Sequence, residues 1–409
     1  MSFKCVQGGV TAPAGFRANG VFCGIKRSKR RDLSLIVSER VCDAAGVFTT
    51  NRVQASCVAV NREHLKDSRA QAIIANSGNA NCLTGESGFE NSRLMTAAAA
   101  RLLKIRKKDV LVASTGVIGK PLPVKKILRA IPGLIGGLSK KGGDLAAHGI
   151  LTTDRTIKEM AVEFSLGRKK VRLGAIAKGA GMIHPQMASA GQRHATMLCF
   201  VTTDAAVHPG ALRTALEKSV RRTFNTITID GDMSTNDMVL VLANGIAQNK
   251  RIVEKTKEFK IFSKALEAIF LQLAKRMVKD AEGATKFVEI LVKSALNRED
   301  ARRAAKAVAH SSLVKCALFG SDPNWGRIAA AVGYSGAHVD PWKMQIYLGK
   351  ELVLRNGGRV KKSAVLLNRI FAQKNVKIKI DLGLGHSHAT VYTCDLSTGY
   401  VRINSAYKT

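Results

Sequence analysis

The segment Lys178 to Asp204 reads K-G-A-G-M-I-H-P-Q-M-A-S-A-G-Q-R-H-A-T-M-L-C-F-V-T-T-D. Gly179, Gly181 and Pro185 end one element, and the apolar run Met197 to Val201 predicts a buried strand that begins at Thr196. A hydroxyl then sits at a strand mouth. Threonine is a weak nucleophile until a base takes its proton. If the Ala195–Thr196 bond breaks, Thr196 gains an α-amine with a reference pKa of about 8, able to act as that base. On spacing alone, an ordinary strand-edge threonine is the simpler reading.

Other residues have chemistry to offer in pattern. Ser114, Thr115 and Gly116 follow a predicted strand, Asp109 to Ala113, where a hydroxyl and backbone N–H groups at a glycine turn can stabilise the oxyanion of an attacked carbonyl. The ammonium of Lys178 can hold a carboxylate and Glu282 an ammonium, together suiting a zwitterionic amino acid. Read locally, Thr152 is a helix-cap or turn hydroxyl. Asp230 to Asp237 lacks the spacing and terminal glutamate of a calcium loop, and His386 and His388 have no ligand cluster beside them, so no metal is expected.

The elements that must position these residues alternate between β and α, predicting an α/β protein without a dinucleotide-binding glycine motif. Leu33 to Val37 is β-like. Ala72 to Ala75 is read as a strand entering an Asn76–Asn81 loop, which serves polar recognition or closes on its own amides. A helix is expected from a cap at Ser92, with Leu94, Met95, Ala98, Leu102 and Leu103 inward. Val171 to Ala177 forms the strand leading to Lys178. Pro209 opens a helix with Leu212, Leu216 and Val220 buried, and Phe259 to Met277 forms a long amphipathic helix. Phe287 to Val292 is expected as a strand, Asp300 to Ala309 as a helix, Asp322 to Ile328 as a rigid loop, and Val376, Ile378 and Ile380 as the inward side of a half-buried strand.

The 409 residues allow a large core. Eight dispersed cysteines without C-x-x-C favour a reducing cytoplasm over disulfides or zinc. The N-terminal stretch has no signal-peptide core, and no transit extension is expected before it; no run approaches the roughly 18 apolar residues of a membrane span. A net charge of +35 would attract polyanions, yet its basic runs are scattered, aromatics are only 5%, and no nucleic-acid motif accompanies them. Dedicated nucleic-acid binding is therefore not expected.

Taken together, K-G-A-G-M-I-x-P with A-T-M-L-C-F-V-T-T-D-A, A-G-V-F-T-T-N (45–51), N-S-G-N-A-N (76–81), S-T-G-V-I-G (114–119), D-G-D-M-S-T-N-D (230–237), E-G-A-T-K-F (282–287), D-P-N-W-G-R-I (322–328) and the terminal Y-V-R-I-N-S-A-Y-K-T resemble the ornithine acetyltransferase (glutamate N-acetyltransferase) family of arginine biosynthesis. The resemblance implies a layered α-β-β-α core of the aminopeptidase-like type and autocatalytic cleavage at Ala195–Thr196. Cleavage would give chains 1–195 and 196–409, interleaved in one catalytic unit and paired as a heterotetramer. It implies ping-pong transfer of acetyl from N-acetylornithine to glutamate through Thr196, with Thr115 and Gly116 as the oxyanion hole. Thr152, Lys178, Thr196, Glu282, Asn404 and Thr409 would contact substrate. No cofactor is implied, and acetyl-CoA stays open as a second donor.

One departure stands out: Ser189 to Ala195 intervene where the family places Ala-Thr directly after Pro-x-Met. Counting from Lys178 puts Ser189 at the nucleophile position; counting from the strand puts Thr196 there. Thr196 is preferred, because a strand fixes its first residue while a loop absorbs an insertion. Three alternatives remain: an amidase or aminopeptidase using the same nucleophile, a relative left uncleaved and inactive, and a non-enzymatic polyanion-binding protein.

Overall fold

The computed structural model describes residues 3–49, 51–185, 187 and 197–406. The chain forms two compact units, one built from residues up to Asn225 with Asp232–Met277, the other from Thr226–Gly231 with the residues from Val278 onward.

In the first unit the described strands are β1 (Lys4–Val6), β2 (Phe16–Val21), β3 (Leu33–Phe48), β4 (Arg69–Asn79), β5 (Val110–Val117), β6 (Lys158–Leu166), β7 (Lys169–Lys178), β8 (Leu198–Thr203) and β9 (Met238–Ala243). They pair in the order β1-β6-β7-β8-β9-β3-β4-β5, with β2 also on β3. One irregularity makes this possible. The register of β3 against β4 shifts between Val37 and Cys42, so that its first half pairs with β2 and its second half with β9. Strands β8 and β9 are parallel and buried throughout, which is why both read as unbroken apolar runs rather than alternation.

Helices α1 (Ser56–His64), α2 (Gly85–Leu103), α3 (Val124–Gly136), α4 (Gly143–Ile150) and α5 (Pro209–Arg222) pack on these strands, giving the mixed α/β layering of the expected class. As anticipated, Leu212, Leu216 and Val220 of α5 are buried. The long helix α6 (Lys257–Lys279) buries Phe259, Phe262, Leu266, Ile269, Leu273 and Met277 as its stripe predicts.

The second unit has a sheet ordered β13-β12-β11-β14-β10-β15, formed by β10 (Phe287–Ala295), β11 (Gln345–Leu348), β12 (Glu351–Arg355), β13 (Gly358–Arg359), β14 (Asn375–Asp381) and β15 (Ser387–Cys394). Helix α7 (Arg298–His310) packs on β10 and β15, capped by Asn297, whose side chain accepts from Asp300 N. Also present are α8 (Ser312–Phe319), α9 (Trp325–Gly333), α10 (Ala364–Phe371) and α11 (Thr398–Ala406).

Several sequence expectations are corrected. Helix α2 starts at Gly85, not at Ser92; Ser92 is buried mid-helix, its hydroxyl donating to Gly88 O at 3.1 Å. Leu94 and Leu102 are exposed, and the inward face is Met95, Thr96, Ala99 and Ala100. Strand β4 runs through Asn79 rather than ending at Ala75, and Ser114 to Gly116 lie inside β5 rather than beyond it. Trp325 to Ile328 open α9 with Asn324 as cap, so only the start of Asp322–Ile328 is loop. Strand β8 begins at Leu198, two residues after the expected start at Thr196, although Met197 O already accepts from Met238 N at 2.9 Å.

Candidate active site

Within the first unit, Lys178 and Thr115 meet. Lys178 is the last residue of β7, is 3% exposed, and donates from Nζ to Thr115 Oγ1 at 3.2 Å. Strand pairing explains its position: β7 and β8 are antiparallel with Lys178 opposite Leu198, so Lys178 stands where β8 begins.

Thr115 and Gly116 sit where β5 runs parallel to β4, with Gly116 opposite Gly78. The approach there is too close for a side chain. A Cβ on Gly116 would lie 2.4 Å from Gly78 C and 2.6 Å from Asn79 N, and its φ of +131° is one that other residues rarely adopt. The asparagines of 76–81 close this region on itself. Asn76 accepts from Ser114 Oγ at 2.7 Å, Asn79 donates to Lys120 O and Pro121 O, and Asn81 donates to Ser56 Oγ, Gly88 O and Ser92 Oγ. Of the two readings of that stretch, the structure supports amides used for packing. Asn236 adds a further brace, donating to Ser114 O at 2.7 Å and Ala80 O at 2.6 Å.

Beneath Lys178 lies a pair that the sequence reading overlooked. Asp154 and Lys158 are both fully buried side chains with Nζ to Oδ1 at 2.7 Å. Asp154 also accepts from Gly179 N at 2.8 Å and Thr152 N at 3.2 Å. Burial alone would raise its pKa, but Lys178, Lys158 and these donors outweigh burial and bring it down to about 2. An ionised Asp154 thus fixes the glycine turn after Lys178 and orients Thr152 through its backbone. Lys26 is a second unanticipated cation. Burial lowers its pKa to about 8, Asp32 and Asp154 oppose that fall, and Lys178 deepens it. Asp237 completes the group: burial lifts its carboxyl well above the usual range, against the attraction of Lys178.

In the second unit Glu282 and Asn404 come together. Asn404 Nδ2 donates to Glu282 Oε2 at 2.9 Å, from an exposed helix α11. Gly283 makes that docking possible, since a Cβ there would lie 2.2 Å from Tyr400 N. Asp395 secures the same junction by accepting from Thr285 N and Lys286 N, both at 2.9 Å. The motif E-G-A-T-K-F therefore holds the C-terminal helix as well as presenting Glu282.

Ser189, Ala195, Thr196 and Thr409 lie outside the described residues. Among the described residues no group of three possible metal ligands occurs, and no helix is long and apolar enough to cross a membrane. Lys26, Asp154 and Lys158 went unread as site residues, and Asp237, the last residue of D-G-D-M-S-T-N-D, was read only as part of that motif and of a rejected calcium loop. Asp154 was within reach, being a buried-type carboxylate in L-T-T-D-R-T-I-K four residues before a lysine.

Residues 17–409 match the ArgJ family. The arginine biosynthesis bifunctional protein ArgJ of Caldanaerobacter subterraneus subsp. tengcongensis is 49% identical over 410 residues, spanning 99% of this chain and all of that protein. The glutamate N-acetyltransferase of Methanocaldococcus jannaschii is 45% identical over 421 residues, 99% of this chain and all of that protein. A solved chain of ornithine acetyltransferase from Mycobacterium tuberculosis, in complex with ornithine, is 39% identical and matches 46% of this chain and all of that one, with a TM-score of 0.43. By extent and identity, this chain belongs to the ArgJ family.

Proposed function

We propose that this enzyme, an acyltransferase of arginine biosynthesis, moves acetyl from N2-acetyl-L-ornithine to L-glutamate through an ester on Thr196, after cleaving its own Ala195–Thr196 bond. The observation that carries the mechanism is the buried contact of Lys178 with Thr115 at the entrance to β8. A cation and a hydroxyl sit at the strand end that leads out of the nucleophile segment.

Cleavage adds water across the bond and leaves an α-amine on Thr196. That amine takes the hydroxyl proton as Thr196 attacks the acetyl carbonyl, Thr115 and Gly116 stabilise the oxyanion, and the proton passes to the departing amine of ornithine. In the return half the amine of glutamate attacks the ester, and its proton goes back to Thr196. Lys178 holds a substrate carboxylate and Glu282 an ammonium, with Thr152, Asn404 and Thr409 as further contacts. Chains 1–195 and 196–409 stay together, because β8 and β9 of the second are hydrogen-bonded to β7 and β3 of the first. We assign the assembly as a heterotetramer of two copies of each chain, working in the cytoplasm, with acetyl-CoA as a second donor to glutamate.

The test is the intact mass and N-terminal sequence of wild type, Thr196→Ala and Ser189→Ala, followed by glutamate-dependent release of ornithine. A second fragment beginning Thr-Met-Leu-Cys and missing only from Thr196→Ala supports the reading. A fragment starting at Ser189 moves the nucleophile there. An uncut wild-type chain overturns the mechanism, and acetyl loss to water at the same rate with or without glutamate makes the enzyme a hydrolase.

A further inference from the structure

Lys26, half-buried, opens the basic stretch K-R-S-K-R-R in a loop that one acid holds firmly. Asp32, fully buried, accepts from Cys23 N at 2.5 Å, Ile25 N at 2.7 Å and Lys26 N at 2.9 Å, and its main-chain carbonyl accepts from Ser77 N of β4 at 2.9 Å. The stem of Lys26 then lies across Gly78: a Cβ on that glycine would stand 3.1 Å from Lys26 Cγ and 3.0 Å from Ile25 Cγ2. Gly78 is opposite Gly116, and Thr115 next to it meets Lys178. Two lysines therefore border the close approach of β4 and β5.

The acids around them already have partners or carry little charge. Asp32 is engaged by three backbone N–H groups, and Asp154 by Lys158 and the backbone N–H groups of Gly179 and Thr152. Asp237, whose carboxyl oxygens have no hydrogen-bond partner, is pushed toward its uncharged form by burial. Burial brings the Lys26 pKa down to about 8 and Lys178 adds to that fall, so the two ammonium groups repel each other. A ligand with a carboxylate at each end relieves that repulsion. Lys26 Nζ donates to Arg31 O at 2.7 Å in an exposed contact, and an ammonium has three N–H donors, so two are left for such a ligand.

We propose that Lys26 receives the side-chain carboxylate of the glutamate acceptor, while Lys178 holds the carboxylate that glutamate shares with N2-acetyl-L-ornithine. The inference rests on the transfer reading above and makes Lys26 the residue that tells acceptor from donor. The two substrates differ at the far end, where ornithine carries an ammonium and glutamate a second carboxylate. A cation at that end favours glutamate and does nothing for N2-acetyl-L-ornithine. A phosphate of acetyl-CoA is the other anion that the same ammonium could take.

The experiment compares wild type with Lys26→Gln, which keeps a donor for Arg31 O without the charge, and Lys26→Arg, which keeps the charge. In Lys26→Gln the KM for glutamate is expected to rise about tenfold or more, with kcat within about twofold, while the KM for N2-acetyl-L-ornithine holds or falls. In Lys26→Arg the KM for glutamate stays within about threefold of wild type. Equal rises in both variants make Lys26 an anchor of its loop and overturn the proposal. A rise in the KM for acetyl-CoA with that for glutamate unmoved overturns it in favour of a phosphate. Titration calorimetry with glutarate and valerate, which differ by one carboxylate and have no amine to acetylate, gives a readout free of turnover. Wild type is expected to bind glutarate about tenfold more tightly than valerate, and Lys26→Gln to lose that preference. No preference in wild type, or one that survives in Lys26→Gln, overturns the proposal. A wild type that moves no acetyl to glutamate refutes the transfer reading separately, and the glutarate preference still decides the role of Lys26.

Discussion

In the second unit, Lys286 and Lys315 are buried with their ammonium groups turned onto main-chain carbonyls. Lys286 donates to Leu318 O, to Phe371 O at 2.6 Å and to Ser321 Oγ at 2.8 Å; Lys315 donates to Cys394 O and to Thr393 Oγ1 at 3.2 Å. In the first unit, Lys178 is as deeply buried, but it meets a hydroxyl and acts on two carboxyls of opposite state, Asp154 charged and Asp237 raised. Burial of a lysine is thus not itself a sign of chemistry. Carbonyl oxygens help to fix Lys286 and Lys315 in place, whereas the two buried carboxyls that act on Lys178 tie it to groups whose charge can change.

The largest test of that contrast is Lys178→Met against Lys286→Met. Losing Lys178 is expected to cut kcat/KM by about 10²- to 10³-fold, the scale of removing one stabilising group from an active site. Losing Lys286 takes the ammonium from Phe371 O, while Leu318 O keeps Ser321 N at 3.2 Å, and is expected to cost about 1–3 kcal/mol in urea unfolding, with kinetics unchanged where the protein is still folded. If Lys286→Met lowered kcat as far as Lys178→Met, the contrast would fail.

Next in size is Gly116→Ala. The added methyl meets the backbone of Gly78 and Asn79, and φ of +131° resists any side chain, so a loss of about 2–3 kcal/mol is expected. Because Thr115 moves with it, activity should fall too. Gly119→Ala is the control for the backbone effect alone, having φ of +77° but open space around it. Its cost should stay near 1 kcal/mol with activity retained.

The two kinds of region also differ in how much of them could be read from sequence. The stripe of α6 and the alternation in β14 were plain, since burial on one face imposes its period on residue types. The start of α2 was not, because a serine before apolar residues signals a cap, and here Ser92 instead fills a buried polar cluster with Ser56 and Asn81. Lys178, Thr115 and Gly116 were legible through their motifs, and Lys178 and Thr115 do meet. The placement of Asp154 and Asp237 was not, for it depends on strand order: β7, β8 and β9 bring together residues that are far apart in the chain.

The smallest expected effect separates the two buried acids by pH. Asp154 has a folded pKa depressed from 3.8 to about 2, so its contribution is present above the unfolded value and is lost as pH falls through about 2, a change of roughly 2 kcal/mol. Asp237 has the opposite sign: its folded pKa is raised, so its stability is fully present below the unfolded value and declines as pH rises toward the folded one. Lys158 and Lys178 are the cations that face these acids. Urea midpoints measured from acid to neutral pH should therefore lose their rise between about pH 2 and 4 in Asp154→Asn, and lose part of their fall above about pH 4 in Asp237→Asn. Equal changes of the same sign in both variants would mean that the fold treats its two buried acids alike, and the contrast between the partnered and the unpartnered carboxyl would fail.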